Sequence, residues 1–396
     1  MLSARAWALV VAAFSMLATA SSASSAASIT NENTPTTNKK PPVKVFLLAG
    51  QSNMQGHGYM LVQDDKGSYR NGTLEWMVAT DPTKYGKLKD SNGNWTVRDD
   101  VWIAYNRQNI GNVRVEMNQF GPLTPGYGGD PGQQGQQMGP ELGFGWTVAD
   151  GLVEQQEQQQ ILLVKIAWGG RSLAGDYRPP SSGGDTGIYY QTMIANTYKT
   201  LAHLDQYFPD YDGRYELAGF AWHQGWNDGC DVNMTAEYEF NLANLIRDVR
   251  KDLDAPNLPV SIGVSGMDGW RHNPRRDGII HAQFAVAKYP EFKGTVESVE
   301  TRDFLRPPLP ESPGKQSYHW NNNCETYWLI GKAMGEAMLG LLPKKKKSTV
   351  ATSSSDKDNG ALALKEEKDA SRQNYIRKGA SKQNIQSSMD RAKATQ

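Results

Sequence analysis

Short apolar runs rich in β-branched residues alternate along this chain with longer stretches whose apolar positions recur every three to four residues. The runs Val43–Ala49, Ile161–Ala167, Leu217–Trp222, Pro259–Val264 and Thr295–Glu300 predict strands. The longer stretches Glu141–Gln155, Tyr189–Leu204, Ala236–Leu253, Gly278–Ala287 and Cys324–Leu342 predict helices. In the third of these, Tyr238, Leu242, Leu245, Ile246, Val249 and Leu253 form one apolar stripe, with Thr235 set to cap the N-terminus. In the last, Tyr327, Ile330, Met334, Met338 and Leu341 form another, with Asn323 as the expected cap. Strands alternating with helices at this spacing imply an α/β fold: a parallel sheet covered by helices on both faces.

The segment from about 58 to 138 breaks the alternation. It is rich in Gly, Asp and Asn and carries Tyr59, Tyr69, Trp76, Tyr85, Trp95, Trp102 and Tyr105. Loops of this length inside a domain are usually functional, and flat rings suit sugar faces. The competing reading is that the rings pack the insertion onto the domain. The ends have a different character. Met1 to about Ala27 has Arg5, an apolar segment and small residues, the pattern of a secretory signal peptide whose apolar part is too short to span a bilayer. Residues 28–41 and 344–396 are polar and aperiodic, and are expected as a disordered leader and tail around a domain at 42–343. The expected product is exported, with no integral membrane segment.

The 42 basic residues balance 42 acidic ones, so charge gives no reason to expect nucleic acid as a partner. No His, Cys, Asp and Glu cluster has metal-ligand spacing, and no Gly-rich phosphate loop occurs. The chemistry lies elsewhere. Val45 to Met54 reads as a strand that ends in the tight turn Gly50-Gln51-Ser52-Asn53. A serine there can point into the crevice where open α/β sheets hold their ligands; it would serve equally as the cap of a following helix. Phe220 to Asp228 again follows an apolar run and brings Gln224 and Asp228, and Ser317 to Asn321 brings His319. A serine, an amide donor, a carboxylate and a histidine are the parts that hydrolyse an ester through an acyl-enzyme.

In these segments the chain resembles the sialate O-acetylesterase and acetylxylan esterase group of the SGNH-type hydrolases. The matching motifs are Gly50 to Met54, Gly169-Gly170, His223 to Asp228 and His319, within a span from Val43 to Leu342. The resemblance implies a flavodoxin-like three-layer α/β/α sandwich and a cofactor-free, metal-independent esterase acting on acetylated carbohydrate. It implies Ser52 as nucleophile and His319 as base, with His223 holding its loop. The expected oxyanion donors are the N–H of Ser52, a glycine N–H taken as that of Gly170, and the side chain of Gln224. Gln51, Asn53, Arg171 and Trp226 are expected to contact substrate.

Two positions depart from the family pattern. Trp226 stands where the family has glutamate, and Gln316 where it has an aspartate three residues before the histidine. The acid that orients His319 is therefore open between Asp228, favoured here, Asp303, and no acid at all. If the loops carrying Cys230 and Cys324 converge as the resemblance implies, those residues can form a disulfide; otherwise they are two small residues that never meet. The rival functions are a carbohydrate-binding protein that has lost turnover, and an esterase for non-sugar acyl groups.

Overall fold

A computed structural model describes residues 40–107, 117–130, 132–154, 159–208 and 213–343. The expected signal peptide, the leader up to Lys39 and the tail from Lys344 lie outside the described residues. In chain order the first part contains β1 (Val43–Gly50), α1 (Ser52–Gln55), β2 (Gly58–Tyr59), α2 (Leu74–Thr80), α3 (Pro82–Tyr85), β3 (Arg98–Arg107), β4 (Met117–Leu123) and β5 (Gln137–Met138). The second part contains α4 (Pro140–Glu154), β6 (Ile161–Ala167), α5 (Ile188–Ala202), α6 (Leu204–Tyr207), β7 (Tyr215–His223), α7 (Val232–Asp252), β8 (Val260–Gly263), α8 (Pro274–Val286), β9 (Val296–Val299) and α9 (Cys324–Leu341).

The main sheet runs β4-β3-β6-β1-β7-β8-β9. All neighbours pair parallel except β3 with β4. Without β3 and β4 the order is that of a flavodoxin-like sheet, with β1 beside the point where the strand order reverses. β1 is buried at every position, which is why it reads as a continuous apolar run rather than an alternating one. Val45, Leu47 and Ala49 belong to one core with residues of α5, α7 and α8; Phe46 and Leu48 belong to the other, with α4 and α9. The three layers follow directly from that two-sided burial.

The expected parallel sheet is present, with β4 added as an antiparallel edge. The structure corrects two other expectations. The segment around 58–138 is not one irregular loop: β3 joins the sheet through β6, with Ile103 opposite Leu163. Most of its rings are structural, since Tyr85 and Tyr105 are buried while Trp76, Trp95 and Trp102 pack against the cores. Finally, α7 starts earlier than expected, and its cap is Asp231, whose carboxylate accepts from the N–H groups of Asn233 and Met234. Asn323 caps α9 as expected, accepting from Thr326 N–H at 3.2 Å. Both cysteines are free, Cys230 exposed and Cys324 buried.

Candidate active site

β1 delivers Ser52 to the C-terminal edge of the sheet. The last residue of the strand, Gly50, runs against the end of β7: a Cβ there would lie 2.1 Å from the carbonyl oxygen of His223, so only glycine allows the approach. The chain then turns into α1, and Ser52 is its first residue, 6% exposed. Among the described residues its hydroxyl makes no hydrogen bond. Beyond the end of β6, Gly169 comes close enough that a Cβ would stand 3.7 Å from that of Ser52. Its N–H is held by Gln55 Oε1 at 3.0 Å, whereas Gly170, at φ 68°, leaves its N–H unengaged among the described residues.

Under this turn lies a buried ion pair. Lys165, in the middle of β6, donates through Nζ to the carbonyls of Gln55 (2.7 Å) and Tyr127 (2.8 Å) and to Glu141 Oε2 (2.7 Å). Glu141 Oε1 accepts from Gly139 N–H at 2.8 Å. Burial pushes the Lys165 ammonium below its usual range and the charge of Glu141 opposes that shift. This pair clamps the end of α1 to the sheet. Sequence reasoning missed it, although a lysine inside the apolar run Ile-Leu-Leu-Val-Lys-Ile-Ala was the signal.

His319 arrives on a tight turn between β9 and α9. Trp320, Asn321 and Asn322 all have left-handed backbone, at φ 51°, 54° and 61°, a strained run for non-glycine residues. Side-chain amides hold it in shape. Asn53, next to the serine, donates to the Tyr318 carbonyl at 2.9 Å, and Asn322 donates to the His57 carbonyl at 3.0 Å. Tyr327 donates to Asn53 Oδ1 at 2.9 Å. The imidazole of His319 stacks on that of His57, with centroids 4.0 Å apart and planes 14° from parallel. Burial, reinforced by His57 and opposed by Asp130, pushes His319 down to about 3. Asp130 accepts from Gln55 Nε2 at 2.9 Å, and Gln137 Oε1 lies 3.1 Å from His57 Nδ1. The chain segment before α4 therefore supplies one wall of the site.

The other expected residues fall into two groups. Gln51, Asn53, Gln224 and Asp228 are buried and engaged with protein groups. Gln51 Oε1 accepts from Gly225 and Asn227 N–H. Gln224 spends its amide hydrogens on the Arg171 carbonyl (3.0 Å) and Asp228 Oδ2 (2.5 Å), so it is not aimed at a substrate oxygen. Asp228 accepts from Leu173 and Ala174 N–H as well, and forms no bond to His319; it knits the Gly169–Gly175 loop to the end of β7. Burial lifts its carboxyl to about 6 against the pull of these donors. Asp303 is exposed and accepts from Trp270 Nε1 at 2.7 Å, also away from His319. His223 is fully buried, with Nδ1 2.8 Å from the Gly263 carbonyl.

Arg171 and Trp226 remain partly open. The Arg171 guanidinium lies over the Tyr189 ring at 4.5 Å. Trp226 sits between the Arg276 guanidinium (3.2 Å) and Tyr318 (5.4 Å), and Tyr318 in turn meets His319 edge-on at 4.6 Å. Among the described residues no group of three or more His, Cys, Asp and Glu side chains could hold a metal ion.

Comparison with known proteins gives the chain's relatives. The model of a family described as carbohydrate esterase, sialic acid-specific acetylesterase, matches residues 42–287, a span that ends before His319. A probable carbohydrate esterase of Arabidopsis thaliana is 23% identical over 236 residues, covering 58% of this chain and 72% of that protein. Among solved structures, an Arabidopsis thaliana protein aligns with a TM-score of 0.46 at 18% identity, over 76% of this chain and 98% of its own. A carbohydrate acetylesterase from Xanthomonas citri aligns at 0.43 and 14% identity, over 74% and 55%. NanS aligns at 0.41 and 15% identity, over 71% and 85%.

Proposed function

The chain belongs to the carbohydrate esterase family of sialic acid-specific acetylesterases, and from that premise we propose that it removes O-acetyl groups from sugars through an acyl-enzyme on Ser52. The observation that carries the reading is the serine itself: nearly buried at the end of a parallel strand, with an unengaged hydroxyl, and tied through its neighbour Asn53 to the turn that bears His319. In this mechanism Ser52 Oγ attacks the acetyl carbonyl carbon while His319 takes the hydroxyl proton. The oxyanion is received by the N–H groups of Ser52 and Gly170. When the tetrahedral intermediate collapses, the sugar oxygen leaves with the proton from His319. Water, deprotonated by the same imidazole, then releases acetate.

Gln224 has no part in this scheme, because its amide is spent on Arg171 and Asp228. Asp228 serves instead to hold the glycine loop. Neither Asp228 nor Asp303 bonds to His319, which supports a Ser-His pair without an orienting acid, with Asp130 acting on the imidazole through its charge alone. Trp226 and Tyr318 stand beside His319 and crowd the site, which supports acetyl over longer acyl chains. Export belongs to the same reading, supported by the charged, apolar and small-residue order of Met1 to about Ala27. The test is turnover of p-nitrophenyl acetate and of an acetylated glycan by the wild type and by Ser52→Ala. The variant should lose about 10⁴-fold or more; turnover that survives the substitution overturns the assignment.

A further inference from the structure

A concave site lies at the start of α8. A cavity of about 390 Å³, within the range of about 300–1,000 Å³ typical of small-molecule sites, is walled by Trp270, His272, Asp277, His281 and Arg302. We propose that it is a glycan subsite, holding neutral sugar residues that flank the acetylated residue at Ser52; the catalytic half of this statement rests on the esterase reading above.

Three observations carry it. Trp270 is 63% exposed, yet its ring is fixed: Nε1 donates to Asp303 at 2.7 Å and the Arg302 guanidinium covers it at 3.7 Å. A large exposed ring already held in one orientation is a ready platform for the C–H face of a pyranose, with little ordering cost on binding. The charges around it are of both signs. Arg302 is bound to Glu300 (2.6 Å), Arg271 and Arg276 share Asp268 (3.2 and 3.1 Å), and Asp303 holds the ring itself. Such a mixed rim offers both donors and acceptors, as sugar hydroxyls require.

The start of α8 touches both the cavity and the catalytic wall. Its first residues line the cavity, and Arg276 of the same helix lies on Trp226, which leads through Tyr318 to His319. A sugar chain that fills both sites would run along the start of α8, so the substrate that the proposal implies is an oligomeric or polymeric glycan rather than a lone acetylated monosaccharide.

Calorimetric titration of the full-length protein with xylohexaose, cellohexaose and mannohexaose tests the subsite without relying on catalysis. At least one should bind, Trp270→Ala should weaken it about tenfold, as truncation of an aromatic anchor does, and Trp270→Phe should keep most of it. On acetylated xylan, Trp270→Ala should raise KM about tenfold with kcat within about twofold, and leave p-nitrophenyl acetate turnover unchanged. No binding of any of the three, or binding indifferent to Trp270→Ala, overturns the subsite even if the protein is an esterase. Trp270-dependent binding by a protein that hydrolyses no acetyl ester keeps the subsite and overturns the esterase reading instead.

Discussion

An imidazole acts as a base only while it is neutral, so in the proposed mechanism the environment of His319 sets the acid limit of the reaction. Burial and the stacked His57 hold it near 3 rather than 6.5. The expected acid limb of kcat/KM therefore falls between pH 3 and 4, with activity present above it. Removing the like charge in His57→Phe should move that limb upward, toward the ordinary histidine range. A limb already near 6.5 in the wild type would mean that another group is the base. His319→Ala should lose nearly all turnover while still folding; a variant that keeps most of its rate would transfer the role to His57. Asp228 is a different matter. Its oxygens accept from Leu173, Ala174 and Gln224, so Asp228→Asn would aim an amide hydrogen at a group that already donates. The expected loss is about 1–3 kcal/mol of stability with a modest change in rate, read by urea unfolding beside kinetics; a selective rate loss of about 10⁴ at unchanged stability would restore Asp228 as the orienting acid.

At the scale of elements, the site depends on how α1 is fastened to β6. Lys165→Met leaves Glu141 buried without its partner and should cost about 3–5 kcal/mol, measured by denaturant unfolding. Lys165→Met with Glu141→Leu should recover much of that stability, yet still impair turnover, because the carbonyls of Gln55 and Tyr127 lose their donor. Full recovery of both would reduce the pair to a packing element. The elements themselves were legible to different degrees. β1, β6 and α9 are long or strongly patterned and were read almost to their ends. β3 was missed because Gly and Asn around it dominate the composition, while its alternating buried Val101, Ile103 and Tyr105 carry the strand signal. The start of α7 was set too late because Thr235 satisfies the capping preference as well as Asp231 does, and sequence cannot tell which oxygen meets the free N–H groups. The motif residues came from sequence, but the hydrogen bonds that make loop anchors of Gln224 and Asp228 did not. Such bonds depend on which donor faces which acceptor across 55 to 265 positions of chain, as in Asp228 with Leu173 or Asn53 with Tyr318.

At the scale of the whole molecule, the fold couples stability to pH through groups near the sheet edge. His223 is fully buried and held near 4 by burial. Between pH 6.5 and 4 the unfolded chain takes a proton that the folded protein refuses, so this group's contribution of about 3 kcal/mol is present above 6.5 and is lost as pH falls. Asp228, raised to about 6, acts in the opposite sense, since the folded protein gains its proton first. His223→Gln should flatten the fall in melting temperature between pH 7 and 4, and an unchanged slope would show that His223 is protonated in the fold. The sheet order that brings Gly50, Gly169 and Gln224 to one edge also brings the α9-side turn there, tied through Tyr318 to Asn53, the residue after Ser52. That convergence is the central claim, and covalent labelling tests it most directly. After treatment with a fluorophosphonate, peptide mass spectrometry should find the adduct on Ser52, with labelling sharply reduced in His319→Ala. An adduct confined to another serine, or an unlabelled Ser52 in a protein whose turnover the reagent abolishes, would contradict the account.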